Sequence, residues 1–402
     1  MASRMRQVPR TVWALGFVSM FMDISSEMIH SLLPVFLVAG LGASPALVGV
    51  IEGVAEATAS ITKVFSGWLS DRLGHRKILA ALGYGLGALT KPIFPLAITP
   101  YEVLGARFAD RIGKGMRGAP RDALVADVTP EELRGAAFGL RQSLDTVGAF
   151  LGPLLAVGLM ALLNDNMRAV FGYAIIPAAI AVILLVLGVE EPRASKAAHV
   201  VKAPIRWSEV RSIGTRFWLA VVVGVLFTMA RFSEAFLVLR GRDAGIPLTF
   251  IPFVLIAMNV VYAVTSAPLG SVSDKVGRKP VLVAGLVAMV AADLVLAFMS
   301  NIAGLIVGVA LWGLHMGCSQ GLLAALVADT APARLRGTAF GLFNLASGVT
   351  LLAASALAGA LWSARGASVT FLTGAGFAMA ALIGMLVLTR EGRAERPSAK
   401  HA

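Results

Sequence analysis

The sequence predicts an all-α integral membrane protein of twelve transmembrane helices in two pseudo-symmetric six-helix halves. Three observations carry this: an apolar composition, a series of apolar runs of bilayer-spanning length, and a duplication that covers the chain. Hydrophobic residues make up 57% of the 402 and charged residues only 14%, far from the balance of soluble domains. The runs fall at 12–39, 46–68, 78–98, 101–121, 137–162 and 169–189, then at 217–239, 248–270, 280–300, 303–327, 338–362 and 369–389. Each is continuous, whereas a barrel strand alternates over about ten residues, so helices are the spanning element. The duplication is direct. Leu124 to Leu140 reads LVADVTPEELRGAAFGL, and Leu326 to Leu342 reads LVADTAPARLRGTAFGL; upstream, GWLSDRLGHRK from Gly67 is echoed by GSVSDKVGRK from Gly270. The halves are expected at 1–189 and 217–389, joined by a polar, basic linker at 190–216 and followed by a tail at 390–402.

A net charge of +12 would suggest nucleic acid in a soluble protein, but its placement decides otherwise. With the N-terminus inside, nearly all Lys and Arg in the loops fall on the cytoplasmic side. Only Arg168, Arg240, Arg242 and Arg365 fall outside. This is the positive-inside bias, so the charge reads as topology and no nucleic-acid partner is expected. The expected setting is a bacterial inner membrane, crossed many times, with both termini cytoplasmic. The first apolar run follows basic residues as a signal peptide would, yet it is too long and lacks a small-residue cleavage site, so it is read as the first helix. Cys318 is the one cysteine, which excludes an internal disulfide and a cysteine cage for metal. Neither metal nor cofactor is expected, and the chain is expected to be a monomer in lipid.

Gly67, Asp71, Arg72, Gly74, Arg76 and Lys77 resemble the loop signature GxxxDRxGRR of the major facilitator superfamily, between the second and third spans. Gly270, Asp274, Lys275, Gly277, Arg278 and Lys279 repeat it between the eighth and ninth. Arg107, with Gly113 and Gly115 after it, is similar to the family's fourth-helix signature. Gly139, Gly148, Gly152 and Pro153 reproduce the spacing of its antiporter signature, with Ala156-Val157 in place of the closing Gly-Gly. The second half has Thr350, Ala354 and Ser355 where Gly148, Gly152 and Pro153 would map. The resemblance covers the whole chain. It implies the major facilitator fold, close to the drug/proton antiporter branch. It also implies a conformational gate at Gly67, Asp71, Arg72, Arg76, Lys77, Asp274, Lys275 and Arg278, and a cavity lined by spans one, four, seven and ten. The residues themselves allow simpler roles. A carboxylate that ends a helix beside basic residues can cap it, and small residues at 148 and 152 let a neighbouring helix approach while Pro153 frees a carbonyl.

Charges inside the spans carry the functional reading, because each costs at least ~2.5 kcal/mol near the bilayer centre unless it is paired or faces water. Residues three, four and seven apart share a helix face. On that rule Asp23, Glu27 and His30 form an acidic stripe in span one, and Arg107, Arg111 and Lys114 a basic stripe in span four with Asp110 alongside. Spans one and four run opposite ways and place Asp23 and Arg111 both near mid-depth, where they can meet. Glu52, Glu56 and Lys63 share a face of span two, and with Lys91 read as scaffolding ion pairs, Glu56 lying nearest mid-depth. Arg231 and Glu234 in span seven either neutralise each other or supply the second half's share of a site.

Burial raises the pKa of a carboxyl group and a nearby arginine lowers it, so a group that alternates between those surroundings can take up and release a proton. Asp23, Glu27, His30 and Glu56 are the candidates for proton coupling. Arg107, Asp110, Arg111, Lys114, Arg231 and Glu234 are the candidates for a substrate cavity. The counterpart of the basic stripe in span ten is neutral, with Trp312, His315, Met316 and Ser319, so the cavity is expected to be charged on the first half and apolar on the second. The expected function is secondary active transport by alternating access, proton-coupled antiport of a small organic solute, with anionic solutes among those the basic stripe suits. The alternatives are a proton symporter importing an anionic nutrient or metal chelate, and a receptor or lipid-handling protein on the same scaffold. No nucleophile, base and orienting group can be assembled, so catalysis is not expected.

Overall fold

The computed structural model describes residues 7–73, 75–190, 215–319 and 336–394. Gly74, most of the linker at 190–216, the end of the tenth span and the end of the tail lie outside them, as does the side chain of Asp71. Every regular element among the described residues is helical. Twelve membrane helices follow the twelve apolar runs in order.

In the first half α1 is Arg10–His30, α2 Pro45–Leu73, α3 Arg76–Thr90, α4 Pro100–Val128 and α5 Arg134–Leu162; α6 comes in two parts, Met167–Tyr173 and Ile175–Gly188. In the second half α7 is divided into Thr215–Ala230 and Ala235–Asp243, followed by α8 Phe253–Val276, α9 Arg278–Phe298, α10 Ile302–Ser319, α11 Arg336–Arg365 and α12 Ala367–Ala394. Local signals set several of these ends. At the start of α4, Pro100 follows Thr99, whose hydroxyl accepts the Glu102 N–H while the Glu102 carboxylate accepts the Thr99 N–H, a capping box. Between α8 and α9 the chain turns through Gly277 at φ 89°, a left-handed conformation that strongly favours glycine.

Ten of the described helices are long and apolar enough to cross a membrane. The other two, α2 and α4, fall short because of the charges they carry. That shortfall marks the site described below.

The chain divides into two compact units, the first six helices together with Ile246–Ile256, and the remainder of the second half. In the first unit α1 packs along α5 and α6, and α4 lies between α2 and α3. Its core is apolar, with Leu15, Val18 and Met22 of α1 against Leu124 and Leu140. The segment Ile246–Ile256 joins this unit beside the α5–α6 turn, where the Thr249 hydroxyl donates to Asp165 Oδ1 at 2.5 Å. In the second unit α7 packs on α11 and α12, and α9 on α10 and α12. The pairing of α1 with α5 and α6 is thus repeated by α7 with α11 and α12, as a duplicated sequence should give.

Candidate functional site

Packing in the first unit is close enough to bring charged side chains together at bilayer depth. On α5, a Cβ at Gly148 would stand 2.6 Å from the Met20 carbonyl and 3.1 Å from Asp23 Cβ. One turn on, a Cβ at Gly152 would stand 2.6 Å from Glu27 Cβ. Two glycines of the antiporter-type spacing therefore seat the backbone of the two acidic residues of α1. Gly139 has nothing within 4 Å of such a Cβ and takes no part, while Pro153 is buried inside α5. On α4, Gly113 and Gly115 admit α3 and α2 in the same way, with the nearest atoms at 2.6 and 2.5 Å.

The charges then form a ladder between α2 and α4. Arg107 donates to Glu52 at 2.6 Å, and Arg111 to Glu56 at 3.3 Å. Both pairs are 55 positions apart, because the two helices run parallel and each steps one turn. Asp110, on the neighbouring face of α4, takes Lys91 at 2.9 Å; that ammonium also donates to Ser26 at 3.0 Å. Arg107, Asp110, Arg111, Lys91 and Glu52 are all at most 3% exposed. Pairing is what makes this burial tolerable, since an ion stripped of water needs a counter-ion and hydrogen bonds. The expectation that Arg111 meets Asp23 is not what the structure has. Arg111 is held by Glu56, with Asp110 at 3.5 Å.

On α1, His30 lies between two carboxylates, 3.4 Å from Glu27 and 3.6 Å from Glu52. It links the acidic stripe to the ladder. Glu27 keeps 23% of its side chain exposed and Glu56 34%, while Asp23 is half-buried. Lys114 is the exposed member of the basic stripe, in the field of Asp23, Glu27, Glu56 and Arg111. Among the described residues no carboxylate stands within ion-pair distance of it. Around the ladder the accessible groups are thus the Lys114 ammonium and the carboxylates of Asp23, Glu27 and Glu56, with the Arg107 and Arg111 guanidinium groups locked beneath; Lys63, further along α2, is exposed as well.

A second cluster lies toward the α4–α5 connection. Arg141 donates to Asp145 at 2.5 Å, and Arg121 donates to Asp122 at 3.1 Å and to Ser19 at 2.9 Å. Ser19 is also 2.8 Å from the Tyr84 hydroxyl, and the Arg117 guanidinium lies 4.8 Å above the Tyr84 ring. Tyr84, Ser19 and Ser26 were not legible as partners, since neutral residues carry no charge signal. The ladder had one signal, two i, i+4 pairs of opposite sign on α2 and α4 with a constant offset.

Residues of the expected gate are placed as follows. Arg76 pairs with Asp127 at the end of α4, and Lys77 donates to the Val186 carbonyl of α6 at 3.1 Å. A Cβ at Gly67 would meet Ala119 at 3.5 Å, so α2 and α4 are in contact here too. Arg72, Asp274, Lys275 and Arg278 are exposed. In the second unit Arg231 and Glu234 stand 4.0 Å apart across the interruption in α7. Around them the unit is aromatic, with Phe232 against Trp312 at 5.5 Å and against Phe371 at 5.6 Å. Among the described residues no three His, Cys, Asp or Glu stand together as metal ligands.

A duplicated twelve-helix bundle with paired charges at bilayer depth defines the class of multi-pass membrane transporters. The family model described as Major Facilitator Superfamily matches residues 15–241 and 235–402, and the chain belongs to that superfamily. It is 32% identical over 389 residues to the MFS-type transporter MJ1317 of Methanocaldococcus jannaschii, covering 95% of each chain. It is 26% identical over 306 residues to the class H tetracycline resistance protein of Pasteurella multocida, covering 69% of this chain and 71% of that one. Among solved structures, the peptide transporter POT superposes with a TM-score of 0.80 at 16% identity, over 96% of this chain and 95% of that one, which is a likeness of fold.

Proposed function

We propose that this transporter is secondary active, works by alternating access between its two halves in a bacterial inner membrane, and exchanges protons for a small organic solute that it exports. Both termini are taken as cytoplasmic and the working unit as a monomer. The observation that carries the reading is the seating of Asp23 and Glu27, both only partly buried, against Gly148 and Gly152 of the spacing associated with antiport. Likeness to a tetracycline resistance protein supports export. In this reading Asp23, Glu27, His30 and Glu56 handle protons, Lys114 meets the solute, and Arg107, Arg111 and Asp110 hold the site rigid. Arg231 and Glu234 border the second half's share. The paired loop signatures, with Arg76 and Lys77 tied to α4 and α6, gate the inner face.

One observation favours symport of an anion instead. Lys114 lies in the field of three carboxylates, so protonating one of them would release the ammonium to an anion, and proton and solute would then bind together.

A thermal-shift screen of the purified protein against small solutes at two pH values separates these. A ligand at 100 times its dissociation constant stabilises the protein by about 2.7 kcal/mol. A shift that weakens in acid supports exchange, and one that strengthens in acid replaces exchange with symport. Glu27→Gln should then uncouple transport from the proton gradient while leaving the fold intact. An unchanged pH dependence in that variant removes Glu27 from the mechanism.

A further inference from the structure

The second unit holds a buried acid that the reading above does not use. Asp293, in the C-terminal third of α9, is 0% exposed, and neither of its carboxyl oxygens has a hydrogen-bond partner. Its walls are apolar. A Cβ built on Gly374 of α12 would stand 2.6 Å from Asp293 Oδ2 and 2.9 Å from the Phe232 ring, so glycine backbone and an aromatic ring close over the group.

Counter-charges on the packed elements are elsewhere. On α10, His315 donates from Nδ1–H to the Gly285 carbonyl, 2.9 Å away and two turns back along α9, and Cys318 lies against the same glycine. The described side chains of α12, through Val387, include no titratable group. On α7, Arg231 and Glu234 face each other at 4.0 Å. An ionised carboxyl in such surroundings has lost its hydration with nothing in exchange, so the group needs a bound cation or a proton. A hard metal cation takes six or more oxygen ligands, and Asp293 has no other acid, amide or hydroxyl partner. A proton needs only the one oxygen.

We infer that Asp293 is a proton-binding site of the second half, closed by Phe232 and Gly374 and emptied to water when the interruption of α7 rearranges. That interruption has two ways to satisfy its backbone. Ser233 N–H is held at 3.2 Å by the Ser355 hydroxyl of α11, where an unbroken helix would give it a carbonyl of α7. Exchanging one acceptor for the other shifts the adjacent Phe232, admits water to Asp293, and lets the Oδ–H proton pass to that water, leaving a hydrated carboxylate. Broken helices that border ion sites are a recurring device of transporters, and here the break abuts the acid itself.

The test is infrared difference spectroscopy of the resting protein, read at the C=O stretch of protonated carboxyl groups from acid to alkaline pH in sodium-free buffer. Wild type should show a protonated-carboxyl band absent from Asp293→Asn, which copies the shape of the neutral acid and should melt with wild type. Phe232→Ala, which opens the lid, should make that band respond to bulk pH. Identical spectra for wild type and Asp293→Asn overturn the site, and loss of the band on adding sodium replaces the proton with that cation. Because no transport is measured, the outcome is independent of the antiport reading, which stands or falls on Glu27→Gln.

Discussion

The two halves descend from one duplicated segment yet solve the problem of polar groups in a membrane in opposite ways. In the first unit charges within the helices are numerous and paired: Glu52 with Arg107, Glu56 with Arg111, Asp110 with Lys91 and Asp145 with Arg141. In the second they are few, and the interior is filled by rings such as Phe232, Phe236, Trp312 and Phe371. The lesson is that pairing allows many charges, whereas a single acid such as Asp293 must be handled by its proton. The interior contacts of the first unit are thus largely between charges, on helices brought together by glycines, and those of the second largely between rings.

The largest effect should come from breaking a rung of the ladder. Arg107→Ala leaves Glu52 buried without its counter-ion, which should cost about 3–5 kcal/mol and abolish the folded protein in a thermal unfolding assay. Replacing both partners, as Glu52→Gln with Arg107→Gln, removes the orphaned charge and should restore most of the melting temperature. A double variant as unstable as the single one would mean that the rung acts through shape rather than charge.

Close approach comes next. Gly152→Val places side-chain atoms where Glu27 Cβ already sits, while Gly139→Val meets open space. Overpacking of this kind costs about 1–3 kcal/mol, so Gly152→Val should lower stability and transport together and Gly139→Val should be silent. Equal effects at both positions would detach the glycine spacing from the α1–α5 contact. A smaller loss is expected at the α8–α9 turn. There Gly277→Ala must hold a side chain at positive φ, at about 1–2 kcal/mol, without touching either site.

How much of this was legible in the sequence follows from the kind of information each feature needs. Helix number and the two-half plan rest on apolar runs and a repeat, which are one-dimensional, and the twelve helices follow the runs. The concentration of charge in the first half was readable for the same reason. Partners were not. Helical spacing sorted residues onto faces correctly, placing Arg107 and Arg111 together, but which helix that face meets depends on rotation and register between helices. So Arg111 was matched to Asp23 on α1 by depth, while the structure gives it Glu56 on α2. Glycines decided that outcome, since Gly115 presses α4 onto α2. The partnerless state of Asp293 was equally hidden, because an absence of neighbours has no sequence pattern.

Lys114 sharpens the comparison with the least disturbance to the fold. It belongs to the same face of α4 as Arg107 and Arg111, yet they are locked at 3% side-chain exposure or so and it is exposed. If the ladder is structure and the exposed ammonium is the contact for solute, Lys114→Ala should leave the melting temperature of the empty protein where it is and erase the shift produced by an anionic ligand. Lys114→Arg should keep part of that shift, since charge is retained while the compact ammonium geometry is lost. The same two variants, made with a neutral ligand from the screen, provide the control: a shift that survives Lys114→Ala for the neutral solute and vanishes for the anion assigns the residue to charge recognition. Loss of both shifts would instead place Lys114 in the electrostatic balance of Asp23, Glu27 and Glu56, and would remove it from solute contact.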